Sequence, residues 1–153
     1  MTFSTEQAAE RAVQALRTRG FDSVQVTVSE TRRCELNLAQ NEPSLLRSNA
    51  ARKLSATGIA GGRRASAEAS DLSDEGVAAL VDALWTAASS APVDAAHAVS
   101  QGQQLRLAQG QREADPVALA AALREVLAWR AEHTPTMMIE EAAASHIHQR
   151  LHT

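Results

Sequence analysis

The sequence predicts an α+β fold: an antiparallel β-sheet of about four to six short strands with two or three helices packed on one face. Three observations predict it. The hydrophobic period is helical near the N-terminus, becomes two over the following strand-like runs, and turns helical again further on. A Gly-Gly pair between two β-like runs marks a hairpin, which joins antiparallel neighbours. A length of 153 residues gives room for one domain and one hydrophobic core.

The first helix is "STEQAAERAVQALRTRG". Ser4 or Thr5 can cap it, and Gln7 stands three after Ser4, as a capping box requires. Ala9, Val13 and Leu16 form an apolar stripe with Ala12 alongside, and Gly20 occupies the position where a left-handed residue ends a helix. In "SVQVTVSE" Val24, Val26 and Val28 then alternate with Gln25, Thr27 and Ser29. "RCELNLAQ" repeats the alternation with Cys34, Leu36 and Leu38, which makes Cys34 a small core residue rather than a nucleophile. Asn41 and Pro43 supply a turn, "SLLRSNA" follows as a short third strand, and "RKLSATGIA" and "RRASAEAS" flank Gly61 and Gly62. The glycine-rich "GIAGGRR" lacks the Lys-Ser/Thr ending of a phosphate loop and the spacing of a dinucleotide fingerprint, so it reads as a turn.

A second helix covers "SDLSDEGVAALVDALWTAASSAP". Ser73 caps it, Asp74 and Glu75 suit its positive end, and Val77, Leu80, Val81 and Leu84 form its apolar face, with Trp85 at the margin. Residues 93–114 are rich in Gln and Gly and read as a linker or irregular loop. A third helix begins at Asp115, with Pro116 in its first turn and Leu119, Leu123, Val126 and Leu127 along one side. The chain thus divides into an α+β domain at 4–92, the linker at 93–114, and a helix with one terminal element at 115–153.

Composition narrows the functional classes. Aromatic residues make up only 3%, so the core is thin, and a partner surface or attached domain becomes plausible. The net charge of −3 gives no reason to expect nucleic acid. Arg47, Arg52, Lys53, Arg63 and Arg64 cluster in sequence, but no aromatic side chains interleave with them for base stacking, so they read as solvent-facing strand residues. A single cysteine excludes an intrachain disulfide. No apolar run reaches the roughly 20 residues of a membrane helix. "MTFSTEQAAERA" lacks the pattern of a secretory signal, so a cytoplasmic protein is expected.

The segment "IEEAAASHIHQRLHT" raises the question of a metal site. A zinc-hydrolase helix needs two histidines one turn apart with a glutamate between them. His148 and His152 are four apart, but Gln149 follows His148 and both glutamates lie upstream. As a strand, Ile147 and Leu151 point one way while His146, His148, Arg150 and His152 point the other, and Arg150 disfavours a cation. As a helix, His148 and His152 share a face. Periodicity leaves both open. Metal binding by His146, His148 and His152 defines an alternative, a small metal-binding protein. Against it stands the reading of these histidines as solvated polar residues.

The order of elements also resembles a known family. "FDSVQVTVSETRRCELNLAQNEP" carries a V-x-V-S-x-x-R first strand, the hairpin ends in "ASAEASDLS", and the following helix runs into "APVD". These features resemble the N-terminal domain of the TldD/PmbA family, also described as modulators of DNA gyrase. The match covers roughly residues 4–95, and more loosely "DPVALAAALREVLAW" and the segment after it. Where the family has an R-x-G-E-x-E turn, this chain has "AQNEPS". The resemblance implies zinc-dependent proteolysis of unfolded peptides by a two-subunit assembly whose catalytic partner carries an H-E-x-x-x-H helix. No His-Glu pair occurs in this sequence, so no catalytic or zinc-binding residue carries over, and no cofactor is expected in this chain. The resemblance favours a strand for residues 139–153. It implies a non-catalytic assembly domain with a protein partner, either a second copy or a subunit of the same family, and a peptide substrate only in the full assembly. A sheet edge, or the margins near Trp85 and Trp129, is the expected surface. A site completed by a partner chain is a further reading, and it rests on the family alone.

Overall fold

A computed structural model describes residues 4–100, 102 and 105–153. Met1, Thr2 and Phe3 of the N-terminal stretch, and Gln101, Gln103 and Gln104 of the expected linker, lie outside the described residues. The elements run α1 (Thr5–Arg19), β1 (Ser23–Ala39), β2 (Glu42–Ala60), β3 (Arg63–Ala69), α2 (Asp74–Ser90), α3 (Pro116–His133) and β4 (Glu141–His152). The strands form one sheet in the order β3-β2-β1-β4, which with three helices is the α+β class expected.

The strands are longer than the sequence pattern suggested. "SVQVTVSE" and "RCELNLAQ" are one strand of 17 residues, and "SLLRSNA" and "RKLSATGIA" belong to one of 19. The charged residues between the apolar runs interrupt the hydrophobic signal without ending the backbone pairing. The Arg52 guanidinium of β2 reaches the Glu30 carboxylate of β1 at 3.5 Å, so the polar stretch is bridged between strands.

Two compact units divide the described chain. The first comprises the chain up to Glu30, Ala51–Leu107 and Arg150–Thr153. Its core joins Ala8, Ala12 and Leu16 of α1 to Val26 and Val28 of β1, Leu54 and Ala56 of β2, and Leu80 and Leu84 of α2. The capping box forms as expected: Gln7 N–H donates to Ser4 Oγ at 3.2 Å, and Ser4 N–H donates to Gln7 Oε1 at 3.1 Å. Ser73 Oγ likewise accepts from Gly76 N–H at 3.1 Å and starts α2. Gly61 and Gly62 both take positive φ, at 54° and 74°, and β2 pairs β3 antiparallel from Ala60↔Arg63 to Leu54↔Ala69. Residues 93–97 are tied to that hairpin, since Asp94 N–H donates to Gly62 O at 2.9 Å and His97 Nδ1 lies 3.0 Å from the same oxygen.

The second unit is Thr31–Ala50 with Ala108–Gln149. Its β1–β2 turn is made by Gln40 (φ 53°) and Asn41 (φ 70°), so Pro43 lies inside β2 instead of in the turn. Asn41 Oδ1 accepts from Ile139 N–H at 2.8 Å, while Gln40 N–H donates to Glu140 O at 3.2 Å. These bonds lock the turn against the chain entering β4. Residues 141–149 are a strand, which decides the question that periodicity left open.

Asp115 caps α3 through bonds from Val117 N–H and Ala118 N–H. Of the four residues expected to line its apolar side, only Leu123 is buried; Leu119 and Leu127 are half-buried and Val126 is exposed. The unit's buried apolar set is therefore small, with Cys34, Leu38 and Leu123 in it. No described helix is long and apolar enough to cross a membrane.

Candidate interaction surface and the closing histidines

Adjacent residues 34 and 35 of β1 are both buried, although a strand points them to opposite faces. Cys34 is the expected core residue. Glu35, only 4% exposed, is a buried carboxylate. Arg47 of β2 donates to Glu35 Oε1 twice, from Nε at 3.1 Å and from Nη2 at 2.8 Å, while Arg33 Nη2 holds Oε2. Burial pushes this carboxyl up. The Arg47 hydrogen bonds, the Arg33 and Arg47 charges and the Asn37 side chain outweigh it and hold the group below the ordinary glutamate range. Alternation marked Leu36 as inward and left Glu35 among wet positions. The signal that would have found it is the opposite charge on two neighbouring strands, Arg33 and Arg47 around one glutamate.

This pairing fixes the base of an open strand edge. β2 meets β1 on one side, and its pairing with β3 begins only at Leu54. Among the described residues no strand pairs with the outer side of residues 42–50, so their backbone N–H and C=O groups there are open, and every one of these residues is exposed. Leu45 and Leu46, at 49% and 52% exposed, put apolar side chains on the same segment. Protected edges are usually short, charged, bulged or covered. Here Pro43 stands near the start, and the one cation of the segment, Arg47, is drawn inward onto Glu35.

Three other basic residues of the cluster are also engaged. Arg52 pairs with Glu30, Lys53 Nζ lies 3.0 Å from Glu68 Oε1, and Arg63 donates to Ala91 O. Arg64 is exposed. Trp85 is used within its own unit: it meets the Phe21 ring edge-on at 5.2 Å and carries the Arg19 guanidinium 5.1 Å above it. Trp129 is 57% exposed and stacks on His133, so of the two tryptophans it is the one that remains at the surface.

β4 reverses the expectation for the closing segment. His146 and His148 lie on its half-buried side, whereas Ile147, between them, is 57% exposed. His146 Nε2 lies 3.1 Å from Gln111 O; a carbonyl only accepts, so this nitrogen carries the hydrogen. His146 and His148 line a pocket with Arg32, Arg33 and Arg112, and His152 falls in the other unit. Among the described residues no group of three or more His, Cys, Asp or Glu is placed to hold a metal ion.

No family model matches the sequence, and no curated protein matches it. Solved structures do. TldE from Thermococcus kodakarensis superposes with a TM-score of 0.75 at 18% identity, over 93% of this chain and 34% of that one. A candidate modulator of DNA gyrase from Bacteroides thetaiotaomicron gives 0.71 at 13% identity, over 98% and 37%. A second such protein, from Thermotoga maritima, gives 0.57 at 14% identity, over 97% and 34%. The chain spans about a third of the length of the structures it matches. The likeness read from the quoted motifs is thus present in the fold.

Proposed function

We propose that this chain is a non-catalytic assembly domain that docks through the free outer edge of β2, residues 42–50, onto a second chain of the same fold. The observation that carries the proposal is that edge: a fully exposed run of strand that no other strand among the described residues pairs with on its outer side, bearing Leu45 and Leu46. An added strand would satisfy its backbone groups and cover the two leucines, as in recognition by β-augmentation. The outer edge of β4 is the weaker candidate, because alternate residues from 142 to 148 are already half-buried.

In this reading the peptidase chemistry implied by the family resemblance, including its zinc, is supplied by other parts of a larger assembly. This chain contributes shape and pairing to that assembly, and the assembly takes unfolded peptide as substrate. A cytoplasmic setting suits Cys34, a lone buried thiol. The test is the oligomeric state of the purified chain and of a Leu45→Lys, Leu46→Lys double variant, run beside a peptidase assay with an unfolded peptide. The proposal expects a wild-type dimer, a monomeric variant and no cleavage by either. Cleavage by the wild-type chain alone would overturn the non-catalytic reading.

A further inference from the structure

Within the second unit, α3 turns an apolar and acidic face to solvent. Ala118, Ala122, Val126 and Trp129 recur three or four positions apart, so they form one stripe, and all four are exposed. Glu125 and Glu132, four before and three after Trp129, share that side of the helix and are exposed as well. His133 stacks on the indole at 4.8 Å, and its Nδ1 donates to Trp129 O at 3.0 Å, which holds the exposed ring in one orientation. Arg130 donates to Met137 O and, at 2.8 Å, to Pro135 O, and so folds the chain after α3 back along the last turns of the helix. Met137 and Met138 are exposed there, and Met137 lines a hollow with Glu140 and Glu141. Among the described residues no lysine or arginine forms an ion pair with any of these four glutamates; Glu132 has only the His133 imidazole, 4.0 Å away. Arg130 is committed to backbone carbonyls, and Arg124, five positions from Trp129, lies on another side of the helix.

We propose that this face binds a basic amphipathic helix of a partner protein. Trp129 is the anchor: a large aromatic already held in place loses little freedom when it is covered. Met137 and Met138 add flexible apolar surface that adapts to the partner's side chains. The small residues Ala118 and Ala122 let a second helix axis come close along the stripe. Charge complementarity selects the occupant. Four carboxylates without a lysine or arginine to balance them favour a partner whose apolar stripe is flanked by basic residues. The same charges exclude a second copy of this face, which would set its own glutamates against them. This surface is separate from the β2 edge proposed for docking, and neither reading depends on the other.

Fluorescence anisotropy of a dye-labelled amphipathic peptide, titrated with the full chain, tests the proposal. The probe is a Leu/Lys helix of about 14 residues, and its counterpart is a Leu/Glu helix of the same pattern. The Leu/Lys peptide is expected to saturate at one per chain, with the Leu/Glu peptide weaker by roughly tenfold or more. Trp129→Ala, a change at an exposed position, is expected to weaken the Leu/Lys peptide roughly tenfold with unchanged circular dichroism. Glu125→Gln with Glu132→Gln is expected to weaken it about fivefold and to flatten its salt dependence. Leu45→Ser with Leu46→Ser, which alters the β2 edge without adding charge, is expected to leave binding unchanged. Absence of saturable Leu/Lys binding up to about 100 µM would overturn the proposal. So would equal affinity for the Leu/Glu peptide, or wild-type affinity in either the Trp129→Ala or the double glutamate variant.

Discussion

Arg47 grips Glu35 with two hydrogen bonds to a single oxygen, at 3.1 and 2.8 Å, across the β1–β2 pair. Together with Arg33 on the other oxygen, this makes Glu35 a buried acid kept ionised by its neighbours. The folded state lowers the carboxyl's pKa relative to the unfolded chain. A lowered pKa contributes stability that is present above the unfolded value and lost as pH falls through the folded one. Thermal unfolding should therefore show a loss of stability below about pH 4.5 that is shallower in Glu35→Gln. At neutral pH the same variant should melt lower, because Arg33 and Arg47 lose their shared partner. Parallel acid profiles for the two proteins would refute this role.

Gly58 of β2 is buried beneath the Phe21 ring, and a Cβ there would lie 2.5 Å from Phe21 Cδ1. The ring cannot simply retreat, since Trp85 meets it edge-on. Gly58→Ala should destabilise by about 1–3 kcal/mol through overpacking, read by urea unfolding of the first unit's tryptophan signal. Gly61→Ala is the contrasting control, since a Cβ there meets nothing within 4 Å, although its positive φ adds some strain.

The two turn residues Gln40 and Asn41 predict opposite signs. Both sit at positive φ, which glycine tolerates better than a side chain does. Gln40→Gly should stabilise by up to about 1 kcal/mol by releasing that strain. Asn41→Gly gains the same relief but removes the oxygen that accepts from Ile139 N–H at 2.8 Å. Its net effect should be a loss of about 1 kcal/mol, together with faster amide exchange at Ile139. Equal effects of the two changes would show that the Asn41–Ile139 bond contributes nothing.

Much of this architecture is legible in the residues themselves. Ser4 with Gln7, Ser73, Asp115, Gly20 and the Gly61-Gly62 pair mark element ends because caps and left-handed turns depend on local chemistry. The valines of β1 mark its inner face for the same reason. What periodicity missed depends on neighbours distant in sequence. Glu35 is buried because Arg33 and Arg47 neutralise it, and the uninterrupted length of β1 and β2 rests on cross-strand bonding such as Glu30 with Arg52. The orientation of β4 was hidden most deeply. Hydrophobicity places Ile147 inside, yet His146 and His148 take the half-buried side, where Gln111 and the arginine-lined pocket await them.

The central claim is that residues 42–50 of β2 are a docking edge, and sedimentation velocity on the purified chain tests it most directly. Across about 1 to 100 µM, the wild-type chain should shift from monomer to dimer, while the Leu45→Lys, Leu46→Lys variant stays monomeric with unchanged circular dichroism. A wild-type chain that remains monomeric throughout, or a variant that dimerises equally well, would contradict it.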